Sequence, residues 1–392
     1  MPYWRLSGFY LFYFAALGAL IPYWGLYLKS RGFDAVAIGE LMAVLMGTKI
    51  IAPNIWGWIA DHTGRRMAIV RLASLLALCI FVGVFWVEGF WWLALVMALF
   101  SFFWNASLPQ FEAVTLSHLG QRTHYYSRVR LWGSIGFILS VAGLGAMLDR
   151  LGAGAVPQVV LGLYLTIWLM SMAVPEKLAP VHPEQQPPLL RVLRQPAVMA
   201  FLVAGFLMQA GHGVYYAFYS IYMAAHGYSS AMIGQLWALG VIAEVLIFLV
   251  MHRLLHRFGA RLVLLISLLL AALRWVLIGN FPDSLWLLLF AQILHAATFG
   301  TFHAAAMHLV HHYFRGRHQG RGQALYSSLS FGAGGAVGSL YSGHLWSSAG
   351  PVVTYGVSAG ISVLAFLIAW RWMEPEDREG SGADPAADDI GA

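Results

Sequence analysis

Apolar residues run through this chain in blocks of about twenty, each long enough to cross hydrocarbon as a helix and each closed by a short polar break. The blocks fall near 6–28, 37–59, 67–86, 91–117, 131–149 and 154–174. Six more lie near 197–224, 231–251, 261–279, 284–310, 322–345 and 352–373. In hydrocarbon a backbone must satisfy its own polar groups, so the pattern predicts an all-α polytopic membrane protein with twelve transmembrane helices. The longest break, PEKLAPVHPEQQPPLLRVLRQP at 175–196, divides them six and six.

The two halves repeat each other. GFDAVAIGEL at 32–41 and GYSSAMIGQL at 227–236 share glycine, an aromatic residue, Ile-Gly and leucine at an offset of 195. At that offset Gly64 and Arg66 match Gly259 and Arg261, and LWGSIGF at 131–137 matches LYSSLSF at 325–331 at an offset of 194. The expected organisation is a six-helix bundle over 1–174, a cytoplasmic linker over 175–196 and a second six-helix bundle over 197–373, related by a pseudo-two-fold axis. The remainder, 374–392, is acidic and rich in small residues and is expected to be a disordered cytoplasmic tail.

Composition agrees with the pattern: 60% of the 392 residues are hydrophobic and 10% charged, far from a soluble globule. The formal charge of +6 is no nucleic-acid signal, because the basic residues sit in short loops. From Arg5, Arg65 and Arg66 through Arg315, Arg317 and Arg321 to Arg371 they fall on one side; Lys29, Arg31 and Arg150 fall on the other. The positive-inside rule then places both termini and the linker in the cytoplasm of a bacterial inner-membrane protein. The N-terminus has no small-residue cleavage site and reads as a retained first helix. Cys79 stands alone, so no intramolecular disulfide is possible.

Lys49 and Glu244 occupy equivalent positions of the repeat, each in the middle of an apolar run. An ionisable group at that depth is costly and is expected to face the bundle interior or an aqueous cavity. Related halves meeting at the membrane midplane, each offering such a group, is how a transporter's central site is built. Lys49 reads as the partner of an anion, either Glu244 or the carboxylate of a cargo. Glu244 reads either as half of a structural ion pair with Arg274 or as a proton carrier. Gln209, His212, Tyr216 and Tyr219 recur as one helical stripe and are candidates for a cavity wall, with Tyr10, Tyr13 and Asn105 as weaker ones. Glu112, with Arg128 or Arg130, reads as a gate or a helix latch.

GWIADHTGRR at 57–66 fits the loop signature of the major facilitator superfamily through Gly57, Asp61, Gly64, Arg65 and Arg66. There Asp61 is expected to meet a helix N-terminus, and Gly64 to permit a tight turn. Within that superfamily the chain resembles the phenylpropionate permease family, most densely in RVRLWGS, GYSSAMIG, LWALGVIAEVLIF, LRWVLIG and QILHAATF. More distantly it resembles the lactose and nucleoside proton symporters. Those carry an acid, an arginine and a histidine at positions matching Glu244, Arg274 and His295, and an acid–arginine pair matching Glu112 and Arg130. Where the lactose permease has a second acid, this chain has Ala296, Ala297 and Thr298.

The resemblance implies proton-coupled uptake of a small aromatic carboxylate, such as 3-phenylpropionate or cinnamate, by alternating access. No enzymatic activity, cofactor or metal is expected. Partners are the cargo, protons and membrane lipid, and the protein is expected to be a monomer. A sugar or nucleoside permease is the alternative, although its site would want more Asn, Gln and Asp. HAAAMHLVHH at 303–312 offers one histidine box, whereas membrane di-iron oxygenases need several, so interfacial histidines are the plainer reading.

Overall fold

A computed structural model describes residues 1–177, 190–315 and 318–374. Most of the expected linker and nearly all of the expected tail lie outside these residues. Spans 1 to 6 are Tyr3–Ser30, Ala35–Thr63, Arg66–Phe85, Phe90–Leu119, Tyr126–Leu151 and Ala153–Ala173. Spans 7 to 10 are Pro196–Ala225, Ser230–Phe258, Ala260–Asn280 and Leu285–Tyr313. The last helical stretch, Gln319–Trp372, is two spans, 319–349 and 351–372, joined at Gly350, whose φ of 82° and ψ of 175° are not helical. Twelve spans result, as the apolar blocks predict.

The half-chain repeat has a structural meaning. Gly32 and Gly227, one repeat apart, adopt left-handed φ of 85° and 84° in the turns before spans 2 and 8. Two residues on, Asp34 accepts a hydrogen bond from the Ala37 amide (2.8 Å), and Ser229 accepts one from the Met232 amide (3.2 Å). These side chains satisfy amides that the first helical turn leaves free. Gly64 and Gly259 close the same two spans with φ of 67° and 75°, so Gly64 makes the tight turn expected of it. Repeated letters thus encode repeated caps.

Spans 1–6 and 7–12 meet along two seams that small residues bring close. Spans 2 and 11 run antiparallel: a Cβ added to Gly39 would lie 2.7 Å from Gly343 Cα, and one added to Gly332 would lie 2.7 Å from Ile50 Cγ1. Asn54 Nδ2 donates across the same seam to Ser328 Oγ at 3.1 Å. Spans 5 and 8 form the second seam, where Gly145 abuts Ser230 O and Gly234 abuts Val141 O. Tyr23 donates to Val141 O at 2.6 Å, and Asp149 accepts from the amides of Ser230 (2.6 Å) and Ala231 (3.1 Å). That carboxylate sits at the N-terminus of span 8, where the helix dipole favours negative charge. The contact lies on the membrane face opposite the termini, here called the far face.

At the termini face, Asp61 reaches no helix N-terminus. It pairs with Arg66 at 2.5 Å, and Arg66 also donates to Gln110 Oε1 at 2.6 Å. The N-terminus of span 3 is instead capped by Glu176, whose oxygens accept from the amides of Met67 (3.0 Å) and Ala68 (3.1 Å). The Gly57–Arg66 signature is therefore a loop organised within its own half.

Candidate functional site

Lys49, Glu112, Tyr216, Glu244 and His303 are half-buried and come from spans 2, 4, 7, 8 and 10. The zone between the two halves that these side chains border is here called the crevice.

Lys49 projects from span 2 with its Nζ 3.5 Å from Met46 Sδ, and no carboxylate lies within ion-pairing distance among the described residues. Of the two partners that the sequence offers Lys49, Glu244 lies outside ion-pairing distance and meets His295. Asn105, buried in span 4, donates to Thr48 Oγ1 at 2.9 Å, and Thr48 donates to Ser101 at 3.0 Å. Asn105 thus braces the turn that carries Lys49. Tyr13 is 4% exposed and its hydroxyl donates to Trp104 O at 3.4 Å, so it belongs to the first half's core and not to the wall.

Glu244 meets a histidine. Its Oε2 lies 3.7 Å from His295 Nε2, and no ion pair with Arg274 forms. Arg274, fully buried, is held by neutral groups: Nε donates to Ala291 O at 3.1 Å, with Thr298 Oγ1 and Gln292 Oε1 at 3.4 and 3.5 Å. Its guanidinium stands 4.3 Å from the Tyr215 ring centroid and 4.8 Å from that of Trp275. Aromatic faces offset part of the cost of burying a cation without a counter-ion. The acid and the arginine thus belong to adjoining but separate clusters, bridged by span 10.

Span 10 explains why. Its helix carries a π turn over Ala296–Thr301, between His295 and His303, and Gly300 in that turn leaves room for Glu244, whose Cγ would lie 2.9 Å from an added Cβ. Span 11 carries a second π turn over Ser328–Gly334, and Gly332 in it lies against the Lys49 backbone. The Glu244 side chain thus packs on one π turn, and the backbone of Lys49 and Ile50 on the other. Such turns recur at functional sites because they leave backbone groups off register.

Arg130, not Arg128, faces the crevice. Its guanidinium lies 3.8 Å from the Phe14 centroid and 5.7 Å from that of Tyr10, within electrostatic range of Glu112, Glu244 and His303. Arg128 is exposed and stacks on Tyr125 at 5.2 Å. Glu112 accepts a hydrogen bond from Tyr126 at 3.4 Å rather than closing a direct ion pair with Arg130. Of the span 7 stripe, Tyr216 reaches the crevice, whereas Gln209, His212 and Tyr219 are buried at 2%, 0% and 0% exposure. His212 bonds through Nδ1 to Met208 O at 2.8 Å and packs edge-on against Trp275.

Phe299, His303 and Phe331 complete the wall; the sequence reading takes His303 only as part of the 303–312 histidine stretch and does not single out the two phenylalanines. His295, Phe299 and His303 form a column of nearly parallel rings, at interplanar angles of 6° and 10°. Phe331 of span 11 closes on it, 6.2 Å from Phe299 and 5.9 Å from His303. Their i, i+4, i+8 spacing from His295 is the signal that marks them as one face. The other histidines of the 303–312 stretch point elsewhere. No group of three His, Cys, Asp or Glu able to hold a metal occurs among the described residues.

Comparison with known proteins agrees with this architecture. The chain is 32% identical over 363 residues to the "Probable 3-phenylpropionic acid transporter" of Escherichia coli (strain K12), covering 88% of this chain and 90% of that one. It is 25% identical to the maltose permease of Geobacillus stearothermophilus, over 92% of each chain. Crystal structures of the nucleoside transporter NupG share the fold: one, of a mutant, has a TM-score of 0.84 at 17% identity, covering 95% of this chain and all of that one. These relatives are transporters, not enzymes, and the oxygenase alternative falls away. Residues 3–357 match the MFS_1 like family, and this multi-pass membrane protein belongs to that major facilitator family.

Proposed function

We propose that the chain takes up a small aromatic carboxylate together with protons, the halves 1–174 and 197–373 alternating in access to the two sides of a bacterial inner membrane. The observation that carries this reading is Lys49: a cation at mid-span, bordering the crevice, with Met46 Sδ as its contact and no carboxylate in pairing range among the described residues. A charge held there without a counter-ion is costly. A cargo carboxylate supplies the missing partner, and the Phe299–Phe331 rings supply an apolar surface for an aromatic body. The printed name of the Escherichia coli relative supports the same class of cargo.

Glu244 and His295 form the proton-handling pair in this reading. Burial favours the neutral acid, and an approaching cation favours the ionised one. Arg130, Arg274 or an imidazole can provide that cation as the helices move. Arg130 with Glu112, and the Gly57–Arg66 loop, act at the gate on the side of the termini. Both termini are cytoplasmic by the distribution of Lys and Arg, and one chain forms the whole pathway.

The test is binding of radiolabelled 3-phenylpropionate to the purified full chain, then its accumulation in proteoliposomes under an imposed proton gradient. Saturable binding and gradient-driven accumulation are expected. Saturable binding of maltose or a nucleoside, with none of any aromatic acid, would transfer the chain to the sugar or nucleoside class.

A further inference from the structure

The aromatic wall contains a polar atom with no task. His303 Nδ1 is buried and has no hydrogen-bond partner among the described residues. Other histidines on these helices use Nδ1 on the carbonyl four residues back: His62 on Trp58, His212 on Met208, His226 on Tyr222 and His344 on Leu340. His303 Nδ1 makes no such bond, and neither does His295 Nδ1; the π turn Ala296–Thr301 lies between the two residues. The His303 ring lies instead parallel to Phe299, at 10° and 6.3 Å, with the edge of Phe331 at 5.9 Å. A polar group so enclosed is ordinarily hydrogen-bonded, and an exception calls for an explanation.

The explanation fits the position. Span 11 joins the two ends of the site: Gly332 lies against the backbone of Lys49, and Phe331, the next residue, touches both Phe299 and His303. His303 is four residues further along span 10 than Phe299, about one helical turn, or roughly 6 Å. A carboxylate at Lys49 and an aryl ring against Phe299 and Phe331 thus set the ring's remote edge toward the imidazole. A neutral imidazole offers one donor and one acceptor, and either can meet a hydroxyl.

We infer that His303 reads a hydroxyl on the cargo's ring, and that the preferred cargo is a hydroxyaryl carboxylate in place of the unsubstituted acid. The inference rests on the aromatic-carboxylate reading above and sharpens it. A site with a polar group waiting for a partner discriminates against the analogue that lacks one, because that ligand leaves the group unpaired. A hydroxyl must point at the imidazole to bond it, so the isomers should separate.

The experiment compares the affinities of the purified full chain for 3-phenylpropionate and its 2-, 3- and 4-hydroxyphenyl analogues by competition against labelled 3-phenylpropionate. At least one isomer should bind about tenfold more tightly than the parent acid, the worth of a typical hydrogen bond. In His303→Phe, which keeps the ring stack, that ratio should fall to within about twofold of unity, and in His303→Gln it should be partly retained. Equal affinity for all four acids in the native protein overturns the inference while leaving the carboxylate reading standing. A hydroxyl preference that survives in His303→Phe, checked by an unchanged melting temperature, also overturns it. Failure of every aromatic acid to bind removes both readings together.

Discussion

Asp149 is the carboxylate through which the first half holds the second at the far face, and its removal should loosen that face alone. The side chain accepts two backbone amides from the start of span 8, at 2.6 and 3.1 Å. Asp149→Asn keeps the shape and removes the charge. A carboxylate at a helix N-terminus contributes about 0.3–1 kcal/mol when exposed and up to about 2 kcal/mol in favourable geometry. Asp149 is exposed yet bonded to two amides, so about 1 kcal/mol is appropriate, with 2 as the ceiling. That corresponds to a shift of roughly 5- to 30-fold toward conformations in which spans 5 and 8 part at this end. The rest of the seam, Gly145 against Ser230 and Gly234 against Val141, stays intact, so the protein should remain folded. Spin labels at Leu151→Cys and Ala225→Cys in a Cys79→Ser background report the distance across the far face. The variant should show a longer-distance population that the native residue suppresses, and high salt should reduce the difference. An unchanged distance distribution at low salt would refute the assignment of Asp149 as a latch.

Lys49→Ala should weaken binding of 3-phenylpropionate by roughly ten- to a hundredfold, as expected for loss of a charge-assisted hydrogen bond, with little change in melting temperature; unchanged affinity removes Lys49 from the site. Glu244→Gln fixes the neutral acid at constant volume, so the variant should bind and exchange cargo without accumulating it against a gradient. Normal proton-driven accumulation in proteoliposomes would return Glu244 to a structural role. Arg274→Ala removes a fully buried guanidinium from between Tyr215 and Trp275, together with its hydrogen bond to Ala291 O, and should destabilise the protein by about 3 kcal/mol, read as loss of folded protein on size exclusion or heating. An undiminished melting temperature would mean that Arg274 is not what organises its cluster.

The spans were legible because hydrocarbon leaves a backbone few alternatives, and the caps because Gly32, Asp34 and their repeat-mates Gly227 and Ser229 are written in the chain. Span ends were less so. The hydrophobic block ending near 251 continues as helix to Phe258, and the one beginning near 131 starts at Tyr126. Hydropathy stops at the first charges, whereas backbone hydrogen bonding carries on into water. The ionisable residues were legible individually, but their partners were not. Glu244 faces His295 and not Arg274 because the rotation of spans 8, 9 and 10 about their axes decides which side chains meet. One-dimensional order does not contain that angle. Tyr13 and Tyr219 were misplaced for the same reason: a stripe shows a shared face, without saying whether that face looks into a crevice or into the core.

The π turns in spans 10 and 11 have a mechanical consequence. Each contains one residue more than the α-helical turn it replaces, so each helix stores a single residue of slack beside a charge. Taking up that slack slides the following segment by about 1.5 Å and swivels it by about 100° without breaking the helix. In span 10 the segment that would move is Phe302–Tyr313, which runs from Gly300, against Glu244, to the termini face; in span 11 it runs from Gly332 to the far face, so the same slack acts at opposite ends of the two helices.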